Sequence, residues 1–202
     1  MVHKQKTTTT VPEAIFYTQF KIPLDVSLDI PSGSSLSDTI YERISLEVQG
    51  EPVEVSEEYP IPILMAIFDV VHKISPETVL RLKSGKRVLL FDHWGVPVLR
   101  DEDVYVIDEV EKYEKELEGF TPELAIDIEA IWKEIGKEDN FESIKKSLNE
   151  IKKLIKPSMV TTLIGKAPAL LFLLTQHLLY GKTGEIWYQE NSTSVPIRIN
   201  RL

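Results

Sequence analysis

A proline-opened apolar run followed by two short strand-like runs occurs twice in this chain, and that doubling most limits how it can fold. Pro62-Ile63-Leu64-Met65-Ala66-Ile67-Phe68 is followed by Val88-Leu89-Leu90-Phe91 and Val96-Pro97-Val98-Leu99. Pro168-Ala169-Leu170-Leu171-Phe172-Leu173-Leu174 is followed by Glu185-Ile186-Trp187-Tyr188 and Val195-Pro196-Ile197-Arg198-Ile199. Each copy predicts an apolar helix, a buried strand, a turn and a second strand. The expected fold class is α/β, with two similar strand-helix-strand-strand units forming a sandwich and a helical insertion between them. A ligand site is then expected between the units or at equivalent points on each.

Local signals divide the chain into a disordered tail over 1–12, a first α/β unit over 13–104, a helical insertion over 105–157 and a second α/β unit over 158–202. The second unit packs with the first as one domain. Residues 15–28 read as extended and 44–48 as a half-buried strand. Pro60 and Pro62 suit the entry of a helix ending near Lys73, because the missing amide hydrogen costs nothing in the first turn. Ser75-Pro76-Glu77 predicts a further helix, closed by Ser84-Gly85-Lys86. Residues 87–91 and 96–99 then read as a hairpin, with a short strand over 104–107.

Helices are expected over 109–118 and 122–135, the latter capped by Thr121. Phe141, Ile144, Leu148, Ile151 and Leu154 recur at three and four residues and mark one amphipathic face. In the second unit, strands over 159–164, 185–189 and 195–199 frame a nearly all-apolar helix over 167–180, stopped by Gly181. Apolar character on all sides implies burial on most sides.

The 202 residues, 43% of them hydrophobic, suffice for a real core. With 32 acidic against 23 basic side chains the net charge is -9, which opposes broad capture of duplex DNA. The absence of cysteine excludes disulfides, thiolate nucleophiles and iron-sulfur clusters. Residues 1–10 are polar and basic, so they read as neither a secretory signal nor a membrane anchor. The longest apolar stretch, 167–174, falls short of the ~20 residues of a membrane span. A cytoplasmic protein is expected, and abundant Glu, Lys and Ile lean toward a thermophilic source.

Gly165-Lys166-Ala167-Pro168 places a glycine and a lysine between a strand and a helix N-terminus, a position that favours anions. Thr161 and Thr162 precede it, and Thr162 joins Gly165 and Lys166 as a candidate ligand contact. With one glycine and no phosphate-loop spacing, a nucleoside triphosphatase is not supported, and a plain tight turn stands as the alternative. Asp92-His93 at a strand end suits acid/base work, against a role as ordinary hairpin residues. His177 and His72 sit late in the two apolar helices. The four histidines are dispersed and no cluster has metal spacing, so neither a metal nor another cofactor is expected. Tyr188-Gln189-Glu190-Asn191-Ser192 offers an aromatic for stacking a base and Asn191 or Ser192 for reading its edge, or else a polar hairpin loop.

At Gly165-Lys166-Ala167-Pro168-Ala169-Leu170-Leu171-Phe172, with Gln176-His177-Leu178 and Ile186-Trp187-Tyr188 after it, the chain resembles CRISPR-associated ring nucleases and related accessory families. Leu89-Leu90-Phe91-Asp92 with Gly95-Val96-Pro97-Val98 is a partial match in the first unit. The resemblance implies antiviral defence, binding or cleavage of a cyclic oligoadenylate second messenger, and a homodimer. His177, Asp92 and Gly165 match the family pattern. Gln189 and Glu190 stand where an aspartate is expected, and the first unit lacks the glycine before its proline, which weighs toward binding without cleavage.

Two readings follow. In one, Gly165, Lys166 and helix amides hold phosphate while Tyr188 with Asn191 or Ser192 holds a base. Were that protein also an enzyme, it would be a metal-independent phosphodiesterase with His93 or His177 carrying the proton. In the other, the chain is a non-catalytic interaction or assembly module with no nucleotide ligand.

Overall fold

Both proline-opened runs are helices in the computed structural model, which describes residues 53–56, 58–74, 80–84, 87–91, 97–100, 104–106, 120–135, 138 and 140–201. The first is α1 (Ile61–Ile74) and the second α4 (Ala169–Leu179). Around them the described chain runs β1 (Val53–Ser56), α1, β2 (Leu80–Ser84), β3 (Arg87–Phe91), β4 (Pro97–Arg100) and β5 (Val104–Val106). It continues β6 (Thr121–Asp127), α2 (Ile128–Ile135), α3 (Phe141–Leu154), β7 (Ser158–Ile164), α4, β8 (Thr183–Gln189) and β9 (Ile197–Arg201). The class is α/β.

Nine strands form two sheets among the described residues. One has the order β1-β2-β3-β4-β5, with β1 and β2 parallel and the remaining pairs antiparallel. The other has the order β6-β7-β8-β9, in which β6, β7 and β8 are parallel and β9 returns antiparallel. In each sheet a helix joins two parallel strands and an antiparallel strand follows: β1-α1-β2-β3 and β7-α4-β8-β9. By connectivity β2 holds the place in the first sheet that β8 holds in the second.

The apolar helices are the centre of the core. Ile63 to Val71 of α1 and Ala169 to Leu174 of α4 are buried throughout, as all-round apolar character requires. Helix α1 packs on α4 and β9, while α3 packs on α4 and α2. Two polar side chains are fully buried where α1 meets α4. Gln176 donates through Nε2 to the Met65 carbonyl at 3.0 Å and to the Tyr180 hydroxyl at 3.2 Å. That hydroxyl donates to Asp69 Oδ1 at 3.2 Å, and Lys73 Nζ lies 2.9 Å from Asp69 Oδ2. The Tyr180 ring also stacks on Phe68, with centroids 6.0 Å apart. Buried polar groups are tolerable when paired in this way.

Two expected helical segments are strands. Residues 122–127, read as the start of a helix, belong to strand β6. Leu124 and Ile126 alternate onto the core side while Glu123, Ala125 and Asp127 are exposed, and Pro122 is accommodated because β6 pairs only with β7 among the described strands. Asp127, not Thr121, begins the helix that follows. Leu80-Arg81-Leu82-Lys83-Ser84, read as the end of a helix, is strand β2, consistent with its two-residue alternation. Ser84, read as the first residue of a helix stop, pairs with Arg87 as the last residue of β2, while Gly85 and Lys86 lie outside the described residues. Strand β1 was not anticipated. The readings over 1–12, 15–28, 44–48 and 109–118 lie outside the described residues.

Candidate functional site

The carboxyl ends of β6, β7 and β8 lie side by side, since Asp127 aligns with Ile164 and Ile164 with Gln189. In open α/β sheets this edge is where ligands bind. Three segments leave it: Asp127 into α2, Gly165-Lys166-Ala167-Pro168 into α4, and Glu190-Asn191 into the turn before β9.

Gly165 is the pivot of the middle segment. Its φ of 102° is a conformation that side-chain-bearing residues rarely adopt. A Cβ there would overlap the Cβ of Glu129 and lie 3.1 Å from the Glu129 backbone nitrogen, so glycine is required by space as well as by torsion. The Gly165 amide donates to the Gln189 carbonyl at 2.9 Å, extending the β7-β8 ladder by one bond. Beneath the turn, the Tyr188 hydroxyl donates to the Gly165 carbonyl at 3.3 Å. Tyr188 is buried and meets Phe172 edge to face at 5.5 Å, so it supports the turn from below instead of offering a ring face to a base. Burial pushes the Tyr188 hydroxyl up to about 12, with the Glu190 and Glu129 charges adding to the shift.

Lys166 is exposed and doubly engaged. Its ammonium lies 2.8 Å from Glu190 Oε1, and its backbone amide donates to Glu129 Oε2 at 3.1 Å. The bond to Glu190 holds the Lys166 ammonium above its usual range. Glu129 is also paired with Lys133 one helical turn on. That pairing, and then the Lys166 amide, hold its carboxyl below the usual range against the opposing effect of desolvation. Charges thus alternate along the edge as Lys133, Glu129, Lys166 and Glu190.

Helix α4 starts without a side-chain cap. Pro168 is its N-cap residue, and the Leu171 amide donates to the Pro168 carbonyl at 2.9 Å. The positive end of the helix dipole is therefore turned to the same edge as the Lys166 ammonium. Helix α2, by contrast, is capped by Asp127 Oδ1, which accepts from the Ala130 amide at 2.8 Å.

The loop beyond β8 is fixed by its own hydrogen bonds. Asn191 Oδ1 accepts from the Thr193 amide at 3.0 Å, the Thr193 hydroxyl at 2.7 Å and the Ser194 amide at 2.9 Å. Gln189 Nε2 donates to the Ser194 carbonyl at 2.9 Å. The oxygen of Asn191 is thereby committed to the turn, and Ser192 is exposed beside it.

The fold brings Gly165, Lys166, Tyr188, Asn191 and Ser192 to one edge. Thr162 stands apart from Tyr188, because it aligns with Ala125 and Trp187 whereas Tyr188 aligns with Leu163 on the opposite face. His177 lies eight residues along α4 from its first residue, about 12 Å at 1.5 Å per residue, and its ring is edge to face with Tyr180 at 6.3 Å. It is at the other end of the helix from Lys166. Asp92 and His93 lie outside the described residues. Asp127 and Glu129 were missed; an aspartate directly before Ile128-Glu129-Ala130-Ile131 was the available signal.

No group of three or more His, Asp or Glu side chains with metal-holding geometry occurs among the described residues, and no described helix is long and apolar enough to cross a membrane. No protein-family model matches the chain, and no curated protein sequence matches it. Among solved structures, the chain is similar to the Acinetobacter baumannii Cap4 SAVED/CARF-domain containing receptor with the cyclic trinucleotide 3'3'3'-cAAA, at 14% identity and a TM-score of 0.44. The match covers 81% of this chain and 42% of that receptor chain.

Proposed function

We propose that this protein binds a cyclic oligoadenylate at the carboxyl edge of its second sheet, with the Gly165-Lys166 turn and the first turn of α4 receiving a phosphate. The observation that carries the reading is the N-terminus of α4, which has no side-chain cap and follows directly on the exposed Lys166, at the strand ends where α/β folds place ligands. The sequence resemblance of 165–178 to cyclic-oligoadenylate families supplies the ligand class. Asn191 and Ser192 border the same edge, and the Asn191 side-chain nitrogen is the group suited to meet a base. Tyr188 holds the turn in shape from beneath. We read the protein as a sensor in antiviral defence, a reading supported by His177 standing a helix length away from the Gly165-Lys166 turn. A duplicated unit, a homodimer and a role for Thr162 on the other sheet face extend the same reading.

A panel of cyclic oligoadenylates of different ring sizes, followed by thermal denaturation, tests it. One ring size is expected to raise the melting temperature in a concentration-dependent way, and Lys166→Ala to reduce the shift at a given concentration. No shift for any ring at saturating concentration would overturn the reading. Intact ligand after prolonged incubation is expected; linear products would replace sensing with cleavage.

A protein-interaction module is the second reading, favoured by Phe120 and Met159, which are 65% and 59% exposed beside the amino ends of β6 and β7.

A further inference from the structure

We propose that Glu190 is a built-in competitor of the ligand phosphate, closing the Lys166 site until an anion displaces it. The inference rests on the phosphate-binding reading above and adds its control. The Lys166 ammonium is within 2.8 Å of Glu190 Oε1. A phosphate that reaches Lys166 must therefore replace a carboxylate already bound there.

The geometry makes this exchange a side-chain event. Gln189 is held by the bond from the Gly165 amide to its carbonyl and by its own bond to Ser194. Asn191, on the other side of Glu190, is locked into its turn by the bonds to Thr193 and Ser194, and the Ser194 hydroxyl accepts from its amide at 3.0 Å. The backbone on both sides of Glu190 is thus fixed while its side chain, 48% exposed, is free to rotate into water. Nothing larger needs to move.

Charge counting gives the consequence. Lys133, Glu129, Lys166 and Glu190 sum to zero, and Asp127, exposed at the same edge, brings the total to -1, so the resting edge does not draw anions from a distance. When Glu190 swings away its carboxylate remains nearby and repels the incoming phosphate. Exposed ion pairs are individually weak, so Glu190 acts as a threshold on affinity and not as a lock. Replacing it by glutamine keeps the size but exchanges a charged acceptor for a neutral one, which weakens the competition for Lys166 and removes the repulsion.

Titration of a fluorescent cyclic oligoadenylate into the full chain at low salt tests this with four proteins: the natural sequence, Glu190→Gln, Lys166→Ala and the double variant. Glu190→Gln is expected to bind about two- to fivefold more tightly, the range set by the strength of exposed ion pairs. Lys166→Ala is expected to bind more weakly, and Glu190→Gln to add nothing in that background. Affinity unchanged or reduced by Glu190→Gln, with binding still weakened by Lys166→Ala, overturns the competitor and leaves the phosphate site standing. An equal gain with and without Lys166 also overturns it, since the effect is then a general field and not a contest for one cation. Absence of binding to all four proteins overturns both proposals.

Discussion

Gly165 is seated directly against Glu129, with no room between them for a methyl group. A Cβ on Gly165 would overlap that of Glu129 and approach the Glu129 backbone nitrogen to 3.1 Å, and the Gly165 φ of 102° already disfavours any side chain. One close approach therefore ties the end of β7 to the start of α2 and sets where the Lys166 amide meets the Glu129 carboxylate.

Gly165→Ala is expected to destabilise the protein by about 2–4 kcal/mol, combining about 1–2 for the left-handed backbone with the steric overlap. Glu129→Gly in the same chain removes the overlapping Cβ and should recover part of the loss, less its own helix-propensity cost of about 1 kcal/mol. Urea unfolding of the two single variants and the double variant measures the coupling. A double variant whose loss equals the sum of the singles would show that the contact is not the cause.

How much of this site was legible in the sequence depended on what kind of signal each part sends. Gly165 and Lys166 stood out because a lone glycine between a β-branched run and an apolar run marks a turn. Helices α1 and α4 were legible for the same reason, their apolar runs being bounded by Pro62 and by Pro168 and Gly181. Glu129 was not, because the alternation of Leu124 and Ile126 was masked by a Thr121-Pro122 pair that imitates a helix start. The two signals compete locally, and pairing of β6 with β7, a contact 37 residues away in sequence for Leu124 and Thr161, decided between them. Strand β2 was hidden because the helix-start signature Ser75-Pro76-Glu77 precedes it in the sequence. The supporting place of Tyr188 could not be read from its neighbours at all, since it depends on Phe172 of α4 and the carbonyl of Gly165.

Asp127→Ala is expected to cost about 1 kcal/mol and Asp127→Asn no more than a few tenths, because asparagine caps a helix as well as aspartate does. Thermal or urea denaturation checks both. The comparison also separates a cap from a ligand contact: if Asp127 acts only through Ala130, the asparagine variant should retain full affinity for a cyclic oligoadenylate. A large loss of stability in Asp127→Asn would contradict the capping role.

Tyr180 and Asp69 connect α4 to α1 through a 3.2 Å hydrogen bond, and Asp69 is fully buried. Tyr180→Phe keeps the stacked ring on Phe68 and removes the hydroxyl with both its bonds, to the buried Asp69 and from Gln176, so its expected cost is about 1–3 kcal/mol. A double-mutant cycle with Asp69→Ala should give a coupling of about 1 kcal/mol. Additive losses would mean that the two groups stabilise the helix crossing independently.

The hydroxyl of Tyr188 makes the fold sensitive to alkali. Its pKa is raised from 10.0 to about 12, first by burial and then by the Glu190 and Glu129 charges. Below pH 10 both folded and unfolded chains carry the proton, so Tyr188 adds no pH dependence there. Between about 10 and 12 the unfolded chain loses the proton while the folded chain keeps it. The unfolded state then binds fewer protons, and stability falls as pH rises, by up to about 2–3 kcal/mol for a two-unit difference. Above the folded value the group ionises in both states and this contribution changes no further. Tyr188→Phe lacks the titrating group, so its stability, although lower at neutral pH through loss of the bond to the Gly165 carbonyl, should decline less steeply over the same interval. Urea midpoints of both proteins measured at pH 8, 10 and 11 provide the test, and equal slopes would rule out Tyr188 as the buried group responsible.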